Sequence, residues 1–202
     1  MRQSVLLVTS LSACLCFSTS SAVTLNLKSG HVRYNVRLKT LGVGGDNVSA
    51  INRGVIGKVT VTDEGRVEGG LIVPVVGFDS NNSKRDKDVA NILRYKRHPA
   101  ITFEVVETSR ADLQRILHGD SGTANVKARI SAAGGSKIYD IVLGFRPEGQ
   151  DAVRLTTRID AKFTDFGIDP PRLGLILKTA PDRIELSGDL VFSIEKEEQN
   201  RP

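Results

Sequence analysis

The sequence predicts an all-β protein whose strands close into a barrel, with one or two short helices. Apolar residues recur at every second position through most of the chain, the period of a half-buried strand. Short clusters of Gly, Pro, Asp and Ser punctuate these runs at intervals that suit hairpins. Each run has one apolar and one charged face, so the strands cannot stack as a sheet buried on both sides and must wrap a single apolar surface. A barrel achieves this without leaving open edges.

The chain begins with a basic residue, Arg2, and an interrupted apolar run from Val5 to Phe17, shorter than the roughly twenty residues of a membrane-spanning helix. Ser20-Ser21-Ala22 offers the small residues read by a signal peptidase, so residues 1–22 are expected to be a cleaved secretory signal. The rival is Leu11-Ser12-Ala13-Cys14, which resembles a lipobox and would leave Cys14 acylated at a membrane. Cleavage after Ala22 leaves 180 of the 202 residues as one domain, 23–202, and lowers the formal charge from +5 to +4, because Arg2 is the one charged residue lost. Both cysteines, Cys14 and Cys16, leave with the signal. The secreted domain then has no disulfide, thiol nucleophile or thiolate metal site, and holds itself by packing.

His31 to Lys39 places Val32, Tyr34, Val36 and Leu38 on one face and basic or polar residues on the other; Val153 to Phe163 alternates in the same way. Further strands are expected over Val55–Val61, Val67–Val76, Ile101–Val106, Ala124–Ile130, Lys137–Phe145 and Ile184–Ile194, eight or so in all and mostly joined by hairpins. Gly42 to Asn47 starts like a dinucleotide-binding loop but lacks its last glycine and a βαβ frame, and reads as a flexible loop. The polar stretch after Phe78 is an ordered connection: Asn82 or Ser83 can cap a short helix with Val89, Ile92 and Leu93 on one face, and Pro99 returns the chain to a strand. Ser109 to Leu117, with Leu113, Ile116 and Leu117 aligned, is the second helix candidate. Glu195 to Pro202 reads as a charged tail.

Templates for chemistry fail one by one. Gly119-Asp120-Ser121-Gly122 resembles a serine-protease nucleophile segment, but no His lies in a matching context and the residues suit a tight turn. Asp79 to Ser83 starts like a calcium loop, yet Lys84 and Ala90 stand where that loop needs Gly and Glu. His31, His98 and His118 have no metal-ligand spacing, and Asp86 and Asp88 point to different helix faces. No metal or cofactor is expected, and no catalytic residue. Basic side chains on the strands are interleaved with Glu104 and Asp160 and lack an aromatic platform, so they read as a solvated face that does not bind nucleic acid. The interior candidates are mostly aliphatic, with no Trp anywhere and six Phe after cleavage. Composition alone leaves open whether the barrel is filled or holds one ligand.

The run Phe78-Asp79-Ser80-Asn81-Asn82-Ser83-Lys84-Arg85-Asp86-Lys87, followed by Tyr95, Pro99-Ala100-Ile101 and Phe103, resembles the central signature of the YceI-like family of secreted, lipocalin-like barrels. Asp165-Phe166-Gly167-Ile168, with Pro170 and Pro171 behind it, resembles that family's C-terminal signature. The resemblance is loose around Lys28–Tyr34 and faint over Gly122–Lys137. It implies an extended eight-stranded antiparallel lipocalin-like barrel in the bacterial periplasm, whose tunnel carries a long isoprenoid, quinone-like or similar amphiphilic lipid without catalysis.

Combining the two lines, Tyr34, Val36, Phe78, Ile101, Phe103, Leu155, Ile159, Phe163 and Phe166 are expected to line the tunnel. Asn81, Arg85 and Asp86 are expected either to contact a head group or to brace the connection as a polar clasp. An interaction or stress-response module with a filled core is the competing reading. The oligomeric state stays open, with a homodimer as one option.

Overall fold

A computed structural model describes residues 22–40, 45–173 and 178–196. The expected signal, with Cys14 and its lipobox-like surroundings, lies outside these residues, as do residues 41–44 and the tail from 197 onward.

Among the described residues, twelve strands and two α-helices follow in the order β1 (Val23–Thr40), β2 (Gly45–Asn52), β3 (Ile56–Val61), β4 (Val67–Pro74), β5 (Phe78–Asp79), α1 (Ser83–Ile92), β6 (Ala100–Thr108), α2 (Arg110–Leu117), β7 (Gly122–Ala132), β8 (Gly135–Pro147), β9 (Ala152–Ala161), β10 (Arg172–Leu173), β11 (Lys178–Thr179) and β12 (Ile184–Lys196). Eight of them form a closed antiparallel barrel, β1-β12-β9-β8-β7-β6-β4-β3, in which β3 returns to β1. This is the all-β barrel that the alternating pattern predicts.

The long first strand serves two neighbours because it bends. Its register against β12 slips between Leu27 and Ser29, a β-bulge, and Gly30 follows with φ +136°. A Cβ at Gly30 would stand 2.3 Å from the Asp189 carbonyl oxygen, so only glycine lets the strands approach there. Before the bend, Val23–Asn26 pair with β3; after it, Val32–Lys39 pair with β2. The loop expected over Gly42–Asn47 is corrected in part, since Gly45, Asp46 and Asn47 stand in β2 opposite Lys39, Leu38 and Arg37. Those residue types favour turns, and cross-strand pairing with β1 overrides the local preference.

Inward-facing side chains form two apolar clusters, one at each end. One gathers Leu25, Val61, Phe145, Val153, Leu190 and Phe192 beneath α2, whose Leu113 and Ile116 are buried in it. Ser109 caps that helix by accepting a 3.0 Å hydrogen bond from the Asp112 amide. The Arg115 guanidinium lies 5.0 Å from the Phe145 ring centre. The other cluster, under α1, includes Tyr34, Val36, Phe78, Ile130, Phe163 and Phe166 together with six small alanines, at 50, 128, 132, 133, 161 and 180.

Outward faces carry ion pairs, Glu104 with Arg129 between β6 and β7 and Asp160 of β9 with Arg183 just before β12 among them. These are solvent-exposed and stabilise the sheet by at most about 1 kcal/mol each. Asp165, in the turn after β9, is less exposed and better connected. It accepts hydrogen bonds of 2.7 Å from both Lys137 and Tyr139 and one of 3.2 Å from the Lys162 amide. Partial burial opposes ionisation, but these donors win and hold its carboxyl below the usual range.

Candidate functional site

Period-two alternation in β1 turns Tyr34, Val36 and Leu38 inward beneath α1, and their cross-strand partners extend the same wall. Tyr34 sits opposite Leu186 on one side and Ala50 on the other, and Val36 sits opposite Val48. Phe78 joins them from β5, its ring centre 5.3 Å from that of Tyr34 in a tilted arrangement. Ile101 contributes from β6, while Phe163 and Ile168 come from the turn after β9.

The roof is α1. Asn82, extended at φ −150°, caps it by accepting a 3.0 Å hydrogen bond from the Arg85 amide. Arg85, Val89, Ile92 and Leu93 lie at i, i+4, i+7 and i+8, so one helical face carries a guanidinium followed by an apolar stripe. All four line the cavity below. Beyond the helix Arg94, at φ +55°, ties the roof to the barrel by donating to the carbonyls of Ala133 (3.0 Å) and Gly167 (2.9 Å).

Between roof and barrel lies a cavity of about 270 Å³ whose wall is predominantly aliphatic and aromatic, with its polar lining concentrated in Tyr34, Asn82, Lys84, Arg85 and Asp88. A second cavity of about 60 Å³ lies against Val32, Leu71, Val73, Phe103 and Ile159. Phe78, Ile101 and Leu186 line both, so these three side chains form the partition between them. Among the described residues no group of His, Cys, Asp or Glu could hold a metal ion.

The residues expected to line a tunnel divide by depth. Tyr34, Val36, Phe78, Ile101 and Phe163 line the larger cavity, and Phe78, Ile101, Phe103 and Ile159 line the smaller. Leu155 and Phe166 line neither. Leu155 is turned inward but packs in the α2-end cluster, opposite Phe145 and Leu190. A ten-residue strand spans about 33 Å, so alternation gives the inward face without the depth. Phe166 is buried in a 3₁₀ turn with its ring 6.4 Å from that of Tyr139.

The polar clasp also divides. Asn81 is exposed at φ +58°, and its amide donates to Asp79 Oδ1 at 2.8 Å, which closes the turn before the cap. Asp86 accepts from the Ser80 amide at 3.1 Å and braces the same turn. Neither borders the larger cavity, whereas Arg85 does. No Arg85–Asp86 ion pair forms, because consecutive helical residues point apart.

Alternation alone could have found Leu38, Ile184 and Leu186 on the wall; Val48 was hidden in a turn-rich segment. Asn52 was also missed. It is fully buried, donates to the Pro74 carbonyl at 2.7 Å and accepts from the Gly54 amide at 2.8 Å, pinning the end of β2 beneath the β4–β5 connection.

A closed antiparallel barrel with an apolar cavity roofed by a helix defines a lipocalin-like binding fold. Residues 24–192 match the model of the YceI-like domain, and the chain belongs to that family. Solved structures share the fold at low identity. A polyisoprenoid-binding domain from Saccharophagus degradans aligns with TM-score 0.65 and 10% identity, covering 86% of this chain and 98% of that one. BcnA of Burkholderia cenocepacia aligns at TM-score 0.57 and 12% identity, over 86% and 96% of the two chains. The YCEI protein of Campylobacter jejuni gives 0.58 and 16%, over 79% and 91%. No curated protein matches the chain.

Proposed function

We propose that this protein binds a long-chain isoprenoid, quinone-like or similar amphiphilic lipid in the barrel, and does so without catalysis. The observation that carries this reading is the α1-end cavity, apolar through most of its wall and polar on one side. Burial of a tail supplies roughly 0.8 kcal/mol per CH₂ before ordering costs, so aliphatic walls suffice to hold one. A long tail would extend past Phe78, Ile101 and Leu186 into the smaller cavity, and rotation of those side chains joins the two volumes. The polyisoprenoid-binding neighbour supports the ligand class, and the Ser20–Ala22 segment supports a periplasmic site of action.

Native mass spectrometry of the protein purified from bacteria, with lipid extraction, tests the reading. A stoichiometric lipid adduct is expected, and Val48→Phe, which puts a ring into the cavity, should deplete it at least tenfold. Repeated absence of an adduct under several lipid supplies would sink the proposal. The same spectra give the mature mass, which separates a start at Val23 from an acylated Cys14.

A further inference from the structure

The two ends of the barrel treat their cations differently. At the α2 end, Arg66 pairs with Glu64, Arg115 with Asp112, Lys127 with Glu107, and Arg154 with both Glu148 and Asp189. Across α1 and the turn behind it, from Ser83 to Arg97, six cations stand against two anions, Asp86 and Asp88. Lys84, Lys87, Lys96 and Arg97 are exposed there, and among the described residues none of them makes an ion pair.

Tyr95 lies within this charge. It is half-buried and, with Asn91, lines two adjoining surface hollows, one shared with Val76, Asp86 and Lys87 and the other with Arg94, Lys96 and Arg97. Val76 is 69% exposed, an apolar side chain left in water beside the ring. The turn is held in one arrangement: the Tyr95 amide donates to the Ala90 carbonyl at 3.0 Å, and the Arg97 and His98 amides donate to that of Arg94 at 2.9 and 3.0 Å. Ring and cations are therefore in place before any partner arrives, which lowers the ordering cost of binding.

A ring with a polar tip, an exposed aliphatic side chain and uncompensated cations suit a surface that is anionic outside and apolar just beneath. A nucleic acid offers the charge but no apolar layer for Val76, and Tyr95 alone makes no stacking platform. We infer that this face docks on an anionic phospholipid bilayer, with Lys87, Arg94, Lys96 and Arg97 over the phosphates and Tyr95 and Val76 at headgroup level. The use of such docking rests on the lipid-binding reading: one helix, about 10 Å across, separates the face from the larger cavity, so a docked barrel stands beside the source or destination of its ligand.

The test is co-sedimentation of the mature protein with vesicles of phosphatidylcholine alone and of phosphatidylcholine mixed with phosphatidylglycerol. Wild type should bind the mixed vesicles, release them as salt rises, and leave the neutral ones in solution. The double variant Lys96→Glu, Arg97→Glu should weaken binding about tenfold or more, and Tyr95→Ala should weaken it by a smaller factor. Lys58→Glu, the same change of charge on exposed β3, should bind as wild type does. Val48→Phe, which puts a ring into the cavity, should also dock normally, so that docking and lipid binding fail separately. Equal binding to both vesicles, binding to neither, or a loss in Lys58→Glu matching that of the double variant would overturn the inference. Capture of duplex DNA without capture of the mixed vesicles would overturn it as well.

Discussion

The two ends of the barrel are each closed by a short helix capped through a side-chain oxygen, Ser109 at one end and Asn82 at the other, yet they are packed in opposite ways. Beneath α2 the inward positions hold Phe145, Phe192, Leu25 and Leu190, and the helix buries Leu113 and Ile116 among them. Beneath α1 the cluster contains six alanines, and Val89, Ile92 and Leu93 reach only half-burial above open volume. The helices differ at one further position: α1 carries Arg85 on its inward face, one turn before Val89, whereas Arg115 of α2 lies outside over a ring. Large side chains beneath one helix make a plug. Small side chains and a charge beneath the other make a roofed cavity, so one fold divides its ends between stability and binding.

That contrast can be broken most directly by truncating one side chain at each end. Phe145→Ala should destabilise the protein by about 3–5 kcal/mol, because a close-packed core pays both lost burial and a new void. Ile92→Ala, above a void that already exists, should cost about 1 kcal/mol. Denaturant unfolding of both variants checks this, and equal losses would mean that the ends are packed alike.

A smaller effect is expected at Asp165, which fastens the turn carrying Phe163 and Ile168 to β8 through Lys137 and Tyr139. Asp165→Asn should cost about 1–2 kcal/mol at neutral pH. The folded protein holds this carboxyl below its unfolded value, so the contribution is present above the unfolded pKa, near 3.9, and is lost as pH falls through the lower folded value. Wild type and variant should therefore converge in acid, as unfolding curves at stepped pH would reveal. A gap that persists at low pH would assign the role to shape alone.

The smallest effect sharpens the comparison between caps. Ser109→Ala and Asn82→Ala should each lower stability by about 1 kcal/mol. Asn82 also borders the cavity, so only its substitution should alter lipid affinity. A matching change in Ser109→Ala would show that the plug and the cavity are coupled along the barrel.

Most strands and both helices were legible because each has a periodic apolar face: Tyr34, Val36 and Leu38 alternate in β1, and Val89, Ile92 and Leu93 recur at helical spacing. The β2 strand was not, since Gly45, Asp46 and Asn47 have turn chemistry and become a strand only by pairing with Leu38 and its neighbours. Five of the expected wall residues border the larger cavity, Tyr34, Val36 and Ile101 from alternating strands and Phe78 and Phe163 from the short segments beside them. Leu155 shares their inward face but stands about four residues, roughly 13 Å along β9, from Ile159, deep enough to join the other cluster.

By itself the sequence determined which face of most strands is apolar, where most turns fall and where short helices interrupt the barrel, because these follow from interactions within a few residues. It also placed the chain beside the YceI-like family through two local signatures. Only the tertiary structure decided how deep each inward side chain sits, that Arg85 faces the cavity while Asp86 braces a turn, and that Tyr34 keeps its hydroxyl without a partner. Those properties depend on strand stagger and on residues far apart in the chain. Period-two alternation records a face, and a cavity is made by what stands opposite it.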